Sequence, residues 1–309
     1  MPKHPFFSVV IPTYNRQEMV VDAVQSVLAQ SFADYEVIVV DDGSKDDTER
    51  ALSAYLDRIK YVRQTNAGVA TARNRGVVES SGEYVCYLDS DDTWPPNKLE
   101  IYKEAIDAHD SMPFLFSDFR KHNMRSDERY EKSNSDMFPY IFELSEPTHS
   151  GAFRLSGEDK LELLLTGYPL YPSTFAVRRD VHDNFRWDPG ILKSEDFNFV
   201  LRLSKNYDML YIDKDLATVR VHDSNKSADF LLKDKTNLAT MRLYRDLYAK
   251  GRTRSLCNYY ISRRQFLDGR GYMAKGLVGK GMVLMATSLA YKENWGRLML
   301  KVWSKLGGR

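Results

Sequence analysis

Three carboxylates follow directly after a short apolar segment, residues 84–88, in the sequence YVCYLDSDD. The segment is rich in aromatic and β-branched side chains, which predicts a strand buried on both faces. Asp89, Asp91 and Asp92 lie just beyond its end, where open α/β sheets bind their ligands. Mg²⁺ is usually held by one or two carboxylates together with substrate phosphates. The cluster therefore predicts a site for a divalent cation and a diphosphate, and its alternative is a solvated acidic turn.

A second pair of acids, Glu195 and Asp196, follows Ser194 at the start of a predicted helix. Carboxylates in a first helical turn also stabilise the helix macrodipole, so a purely structural role is open. The functional alternative is a general base that takes a proton from an acceptor hydroxyl, which is worth about 10²–10⁴-fold in rate. Because adjacent helical residues point about 100° apart, only one of the two can face a given cleft.

Other candidate ligands lie near the ends of predicted strands. Tyr14 could stack on a nucleobase while Asp41 or Asp42 accepts a hydrogen bond from a ring N–H, or it could simply cover the edge of the core. Arg73, near a helix start, could contact a phosphate or be a solvated arginine. His222 could be a metal ligand or an ordinary surface histidine.

The elements that must position these residues alternate between strands and helices. Short apolar segments predict strands at residues 7–11, 35–40, 59–62 and 84–88. Asn15 is the expected N-cap of the first helix, and Ser44 with Asp47 resembles a capping box for the second. This alternation predicts βαβ units in a parallel sheet with helices on both faces. Right-handed crossovers then bring the polar loops after the strands together at one edge.

The alternating pattern weakens in the second half of the chain. Residues 120–136 are strongly charged and predict an insertion or a flexible loop over the site. Short strands are predicted at residues 175–177, 210–212 and 217–221.

Composition and charge divide the chain into two parts. With 309 residues, 43% hydrophobic and 28% charged, it has an ordinary soluble composition. Residues 250–309 hold 13 basic and two acidic side chains, whereas the rest of the chain is acidic. We expect one domain at residues 1–228, with halves at 1–118 and 119–228, and a basic helical region at 229–309.

Cysteine usage and the N-terminus indicate the compartment. Cys86 and Cys257 lie far apart, so neither a disulfide framework nor a cysteine metal site is predicted. The first residues contain no apolar core followed by a small-residue cleavage site, which argues against a signal peptide. The expected location is the cytoplasm.

Several motifs, taken in order, resemble the family 2 glycosyltransferases with the GT-A fold. They are SVVIPTYNR, EVIVVDDGSKDDT, NAGVATARNRG, GEYVCYLDSDD, SED before a helix, and VRVH, and they extend over residues 7–222. The resemblance implies a Rossmann-like mixed α/β sheet with helices on both faces and a C-terminal helical extension. It also implies an inverting transfer of a sugar from a nucleotide-diphosphate donor, with UDP the family-level expectation.

The resemblance also implies roles for individual residues. The donor would be bound by Pro12, Thr13, Tyr14, Asn15, Asp41, Asp42, Arg73, Asp89 and Ser90. Asp91 and His222 would hold Mn²⁺ or Mg²⁺. Asp196 would be the catalytic base, and Glu195 beside it would orient the acceptor.

The acceptor side of the resemblance is less complete. The stretch LYPSTFAVRRDV resembles the family's acceptor-side strand, which implies that Ser173 and Thr174 lie near the acceptor. The Gln-x-x-Arg-Trp signature of processive synthases is absent, and no transmembrane helix is predicted. A single transfer to a hydroxyl of a glycan or lipid-linked saccharide, in bacterial cell-surface polysaccharide assembly, is the expected reaction.

The basic C-terminal region suggests a partner. In residues 270–309, apolar and tryptophan side chains are interleaved with lysines and arginines, which favours peripheral contact with the anionic inner face of the cytoplasmic membrane. The alternative is packing on the catalytic domain or on a second copy in a homodimer. Nucleic acid is not an expected partner because the rest of the chain is acidic.

Two other functions are compatible with parts of the sequence. Asp89, Asp91 and Thr93 fit the Asp-x-Asp-x-Thr motif of haloacid dehalogenase phosphatases, in which the first aspartate attacks phosphorus. That motif usually opens its domain, whereas two βα units precede it here. A non-catalytic nucleotide-sugar binding protein is the other alternative, although such a protein would not require Asp196 as a base.

Overall fold

The computed structural model describes residues 4–166, 170–191, 194–222, 242, 245, 251–274 and 276–289. The chain divides into two compact units. The first comprises Met1–Leu163 with Tyr168–Asn225, and the second comprises Leu164–Gly167 with Lys226–Arg309.

Four parallel strands form one half of the sheet in the first unit. They are β1 (Phe7–Thr13), β2 (Tyr35–Asp41), β3 (Lys60–Arg63) and β4 (Tyr84–Tyr87), in the spatial order β3-β2-β1-β4. The central strands β1 and β4 are buried at every residue, as near-continuous apolar sequence predicts for a sheet covered on both faces. The strands predicted from the first half of the sequence are thereby confirmed.

The first two helices that follow these strands begin later than the sequence predicts. They are α1 (Met19–Leu28), α2 (Thr48–Ala51), α3 (Val69–Glu79) and α4 (Lys98–Ala108). The predicted N-cap is wrong, because Asn15 lies in the left-handed region at φ +52° and its Oδ1 accepts from the Lys45 backbone N–H. The predicted capping box is wrong as well, because the Ser44 hydroxyl accepts from the Asn15 backbone N–H instead. The polar groups of these two loops bond each other rather than the helix starts.

Six further strands complete a mixed ten-stranded sheet. They are β5 (Phe114–Asn123), β6 (Glu128–Arg129), β7 (Glu146–Pro147), β8 (Ala152–Leu155), β9 (Phe175–Arg178) and β10 (Met209–Val221). Beyond β4 the order is β9-β5-β10-β8-β7, with β6 beside β5. Strand β9 is antiparallel to β4 and β5, whereas β5 and β10 are parallel to each other. The sheet therefore has the mixed topology that the resemblance implies.

Two predictions about the second half of the chain need correction. The charged segment at residues 120–136 is not a structureless insertion, since β5 extends through Asn123 and turns back into β6. Strand pairing uses the backbone, so side chains at its exposed end can be charged. The two short strands predicted at 210–212 and 217–221 are one strand, β10, whose register shifts on either side of Asp215.

Shorter helices and a helical hairpin account for the rest of the described structure. The helices are α5 (Asn134–Met137), α6 (Tyr140–Glu143), α7 (Asp159–Thr166), α8 (Glu195–Ser204), α9 (Arg252–Ala274) and α10 (Val278–Ser288). In the second unit α9 packs closely on α10, because a Cβ on Gly269 would lie 2.7 Å from the Gly281 carbonyl oxygen. Among the described residues, no helix combines the length and the apolar content needed to cross a bilayer.

Candidate active site

The loops after β1 and β2 are joined at the carboxyl edge of the sheet. The Asn15 backbone N–H donates to the Ser44 hydroxyl at 2.9 Å, and the Gln17 backbone N–H donates to Asp46 at 3.1 Å. Pro12 and Thr13 are buried at this edge, and Tyr14 is half-buried beside them. Within the described structure the Thr13 hydroxyl has no hydrogen-bond partner. The donor-binding role of these residues stays a prediction.

Asp41 is fully buried at the end of β2, and both of its carboxylate oxygens have partners. One accepts from the Ser44 backbone N–H at 2.7 Å, and the other accepts from the Tyr61 hydroxyl at 2.6 Å. In this conformation Asp41 holds the loop after β2 in place. Contact with a nucleotide stays a prediction.

Asp42 organises the segment that leads into α3. Its Oδ1 accepts from the Gln64 side-chain amide at 2.8 Å and from the Ala67 backbone N–H at 2.9 Å, and its Oδ2 accepts from the Gly68 backbone N–H at 2.8 Å. Gly68 precedes the first residue of α3 at φ +90°, a conformation that glycine adopts without strain. Asp42 therefore fixes the segment that leads into the helix carrying Arg73.

Asp92 anchors the acidic loop, residues 89–92 after β4, to the core. Its Oδ2 accepts from the Ser173 hydroxyl at 2.5 Å, and its Oδ1 accepts from the Arg220 backbone N–H at 3.0 Å. Burial raises the pKa of Asp92 well above its ordinary value, and the neighbouring Asp91 and Asp89 carboxylates raise that pKa further.

Ser173 and Thr174 are buried, and both hydroxyls have partners inside the fold. The Ser173 hydroxyl also accepts from the Asp89 backbone N–H at 3.1 Å. The Thr174 hydroxyl donates to the Tyr171 carbonyl at 2.7 Å. The expected contact of these two residues with the acceptor stays a prediction. Ser90 is buried within the acidic loop.

Asp91 meets His222, which lies 131 residues later in the chain. The His222 Nε2 is 3.0 Å from Asp91 Oδ2, and Arg16 Nη2 is 3.9 Å from the same oxygen. Burial by itself would raise the pKa of Asp91, but the hydrogen bond with His222 and the charge of Arg16 lower that pKa below its ordinary value. The topology thus brings together the two predicted metal ligands.

The fit of a cation to this donor set depends on phosphate. Among the described residues, no group of three or more His, Cys, Asp or Glu side chains could hold a metal by itself. Asp89 is paired with Arg73, and Asp92 is used by Ser173 and Arg220. Asp91 and His222 therefore offer a cation one carboxylate and one imidazole. That pair fits a cation whose remaining ligands are phosphate oxygens and water, the usual situation for Mg²⁺.

Arg73 joins two acidic sites, the acidic loop after β4 and the pair Glu195 and Asp196 at the start of α8. Its side chain is 2% exposed, so its interpretation as a solvated arginine is wrong. One terminal nitrogen is 2.7 Å from Asp89 Oδ1, and the other is 2.8 Å from Glu195 Oε1. Burial alone would lower the pKa of Arg73, but the two carboxylates raise it above its ordinary value, so the guanidinium stays charged. Contact with a phosphate stays a prediction.

Asp196 lies at the start of α8, beside Glu195. The chain enters the helix through Ser194 in the left-handed region, at φ +56°, and Asp196 Oδ1 accepts from the Phe197 backbone N–H at 2.7 Å. Burial raises the pKa of Tyr171 to about 12, and the charges of Asp196 and Asp92 contribute to that rise. The Tyr171 hydroxyl therefore lies within the electrostatic reach of both acidic sites.

Three residues at the site were missed by sequence reasoning. Arg16 lies next to Asp91, Arg220 binds the backbone carbonyl of Asp91, and Trp187 packs under Arg73 at 4.5 Å. Arg220 had a readable signal, since it is the one charged residue in the predicted strand at residues 217–221. Arg16 and Trp187 had none, because their importance comes only from partners distant in sequence.

Comparison with known proteins now decides the family. The family model for glycosyl transferase family 2 matches residues 8–185, more than half of the chain. The chain belongs to glycosyltransferase family 2. This confirms the resemblance read from the motifs.

Relatives of this family-2 chain include proteins named for surface polysaccharides. The chain is 30% identical over 216 residues to an uncharacterized glycosyltransferase of Rickettsia conorii. The aligned region covers 69% of this chain and 32% of the relative. The chain is 44% identical over 106 residues to the putative teichuronic acid biosynthesis glycosyltransferase TuaG of Bacillus subtilis, covering 33% of this chain and 42% of TuaG. The chain thus spans less than half of the length of these relatives.

Solved structures show the same GT-A fold. S. aureus TarS 1-349, in complex with UDP-GlcNAc, superposes with a TM-score of 0.68 at 20% identity, covering 92% of this chain and 79% of TarS. The mannosyltransferase PcManGT of Pyrobaculum calidifontis, in complex with GDP-Man and Mn²⁺, gives 0.63 at 13% identity, covering 99% and 81%. The predicted fold class is confirmed.

Proposed function

We propose that this chain transfers a sugar from a nucleoside-diphosphate donor, with UDP as the nucleotide, to a hydroxyl of a glycan or lipid-linked saccharide. The transfer inverts the anomeric centre and serves bacterial cell-surface polysaccharide assembly. Family membership supports the transfer, and the names of TuaG and of the E. coli putative colanic acid biosynthesis glycosyl transferase WcaA support the pathway class. Structures of TarS with UDP and with UDP-GlcNAc support the donor class.

One observation carries the proposal. A single buried guanidinium, Arg73, pairs with Asp89 of the acidic loop and with Glu195 at the start of α8. Residues that would bind the diphosphate and residues that would activate the acceptor therefore meet at one edge of the sheet. A sugar held between them could be attacked from the side opposite its leaving group.

The residues divide the reaction between them. Asp196 takes the proton from the acceptor hydroxyl, whose oxygen attacks the anomeric carbon while the bond to the diphosphate breaks. Glu195, fixed by Arg73, orients the acceptor. Asp91 and His222 would hold Mn²⁺ or Mg²⁺, which when bound supplies positive charge for the departing diphosphate. Arg16 adds a protein charge at the same place.

The proposal includes peripheral contact with an anionic membrane through the α9–α10 hairpin. Its turn exposes Leu277, and helix α10 exposes Met282 and Val283, the last 63% exposed. Residues 269–292 contain four basic side chains, Lys280 among them, and no acid. Apolar and basic groups together suit an anionic lipid surface. The tryptophans of the predicted membrane segment lie outside the described residues.

Vesicle co-sedimentation tests this contact. Val283→Asp is expected to reduce pelleting with anionic vesicles, because it places a negative charge among the exposed apolar side chains of α10. Val78→Asp is the matched control, since Val78 is 67% exposed on α3. Equal pelleting of all three proteins would contradict the membrane contact. Absence of pelleting, with a dimer mass in sedimentation velocity, would favour the homodimer.

A nucleotide screen tests the function itself. With Mn²⁺ present, a thermal-shift screen of nucleoside diphosphates and nucleotide sugars should give the largest stabilisation with the true donor, because a ligand bound only to the native state raises its stability. The selected nucleotide sugar should then be consumed in the presence of acceptor. Phosphate release from p-nitrophenyl phosphate that survives loss of Asp196 would favour the phosphatase. Binding of the nucleotide sugar with neither transfer to an acceptor nor hydrolysis would favour the non-catalytic binding protein.

A further inference from the structure

A row of stacked side chains connects helix α3 to helix α8. The Arg73 guanidinium lies 4.5 Å from the centre of the Trp187 ring. Trp187 stacks on Phe199 at 4.1 Å with an interplanar angle of 9°, and Phe199 stacks on His182 at 5.8 Å and 10°. Phe199 lies one helical turn after Glu195, so the ring and the carboxylate share one face of α8. Arg73 therefore contacts both the first residue of the helix and the aromatic row that supports it.

The segment before α8 is held by the neighbour of Arg73. The Asn74 side-chain amide donates to the Trp187 carbonyl at 2.8 Å, and the Asn74 side-chain oxygen accepts from the Trp187 backbone N–H at 2.9 Å. This pair of bonds fixes the backbone of Trp187 as a strand partner would. Two consecutive residues of α3 thus hold the side chain and the backbone of the same tryptophan.

Strand β4 closes the cluster from the other side. The Tyr87 ring packs edge-on against Trp187 at 5.1 Å, and its hydroxyl is 3.0 Å from His182 Nε2. His182 Nδ1 faces the Phe185 carbonyl at 3.2 Å, which can only accept, so Nδ1 carries the proton and Nε2 accepts from Tyr87. Burial lowers the pKa of His182 to about 4, which keeps this ring neutral in the physiological range.

We propose that Arg73 and Trp187 are positioning residues that tie the start of α8, and with it Asp196, to the acidic loop after β4. This inference rests on the proposed function. The guanidinium is the right group for the task, because its planar fork binds two carboxylates while its face stacks on an aromatic ring. Without it, Asp89 and Glu195 would face each other as two uncompensated negative charges.

A positioning role predicts a different kinetic result from a role in donor binding. Arg73→Lys keeps one positive charge but loses the fork and the stacking face, and Trp187→Leu keeps an apolar side chain but loses the flat surface. Both are expected to lower kcat at least about tenfold, since small displacements of reacting groups are costly, with the donor KM nearly unchanged. Trp187→Phe, which keeps an aromatic face, should retain most of the turnover.

The matched control is Arg75→Lys, on the same helix. Arg75 is half-exposed and pairs with Glu79 within α3, so its replacement should leave kcat unchanged. A rise in donor KM without a fall in kcat for Arg73→Lys would overturn the proposal and make Arg73 a donor ligand. A fall in kcat that only follows the loss of folded protein in thermal melts would overturn it as well.

Hydrogen exchange separates this inference from the proposed function. Arg73→Lys and Trp187→Leu should speed amide exchange at the start of α8 and leave exchange in α4 unchanged. The reason is that Phe199 of α8 belongs to the stack, whereas no residue of α4 does. Unchanged exchange in α8 would overturn the inference even if transfer is observed. If the wild-type protein consumes no nucleotide sugar, the proposed function fails, while the exchange data still decide whether the stack positions α8.

Discussion

Two acidic loops follow buried parallel strands in this molecule, and they are held in opposite ways. Asp41 and Asp42, after β2, accept from uncharged donors such as the backbone N–H groups of Ser44 and Gly68. Asp91, after β4, faces the side chains of His222 and Arg16 instead. Backbone donors cannot leave without unfolding the loop, whereas side chains can rotate away from a carboxylate.

The difference separates scaffold acids from acids available to a ligand. It divides even the acidic loop after β4, since Asp92 is held by Ser173 and the Arg220 backbone, whereas Asp91 faces the side chains of His222 and Arg16 and a backbone N–H of its own loop. A run of aspartates after a strand is therefore not a uniform site. Each carboxylate acquires its role from what donates to it.

The largest effect is expected at the base. Asp196→Asn should lower the transfer rate by at least about 100-fold, the low end for loss of a general base, with the donor dissociation constant nearly unchanged. Steady-state transfer assays and nucleotide titrations measure the two quantities. Asp188→Asn, in the exposed segment before α8, is the control. Near-normal turnover of Asp196→Asn would exclude it as the base.

Removing a scaffold acid should act on folding instead. Asp42→Ala removes the carboxylate that accepts from the N–H groups of Ala67 and Gly68, and a hydrogen bond to a charged group contributes about 1.5–3 kcal/mol. Urea unfolding should show a loss in this range. Asp107→Ala, which removes an exposed pair with Lys103 on α4, should cost about 0.5 kcal/mol or less. Equal losses for the two variants would contradict the scaffold role.

How far the sequence predicted this arrangement depends on the range of each contact. Strands β1, β2 and β4 could be read locally, because burial on both faces requires a continuous apolar segment. The antiparallel insertion of β9 could not, since the partner of a strand is set by the whole topology. Likewise, sequence could not show which groups donate to Asp42 and which face Asp91, because the His222 partner of Asp91 lies 131 residues away.

A pH-dependent effect concerns a buried lysine behind the acidic loop. Lys98 donates to the Ser173 carbonyl at 3.2 Å and to the Tyr102 hydroxyl at 3.1 Å. Burial lowers its pKa from 10.5 to about 7, and the nearby Cys86 offsets only part of this shift. Between these pKa values the unfolded chain binds one more proton, so stability rises with pH by up to about 1.4 kcal/mol per unit and levels off below pH 7.

Lys98→Met should remove that slope. Urea unfolding from pH 7 to 10 measures it as the difference between the wild-type protein and the variant. Lys103→Met, on the same helix but partly exposed, should keep the wild-type slope. Parallel curves for the wild-type protein and Lys98→Met would show that Lys98 titrates normally in the folded state.

The most direct test of the difference between the two loops is calorimetric titration of UDP into wild-type protein and Asp91→Asn, with and without Mn²⁺. The account predicts that Mn²⁺ strengthens binding to the wild-type protein and that the variant loses this gain, at least about tenfold in affinity. Its melting temperature should stay within about 2 °C of the wild type, because no backbone donor loses its acceptor. The same Mn²⁺-dependent affinity in both proteins would contradict the account.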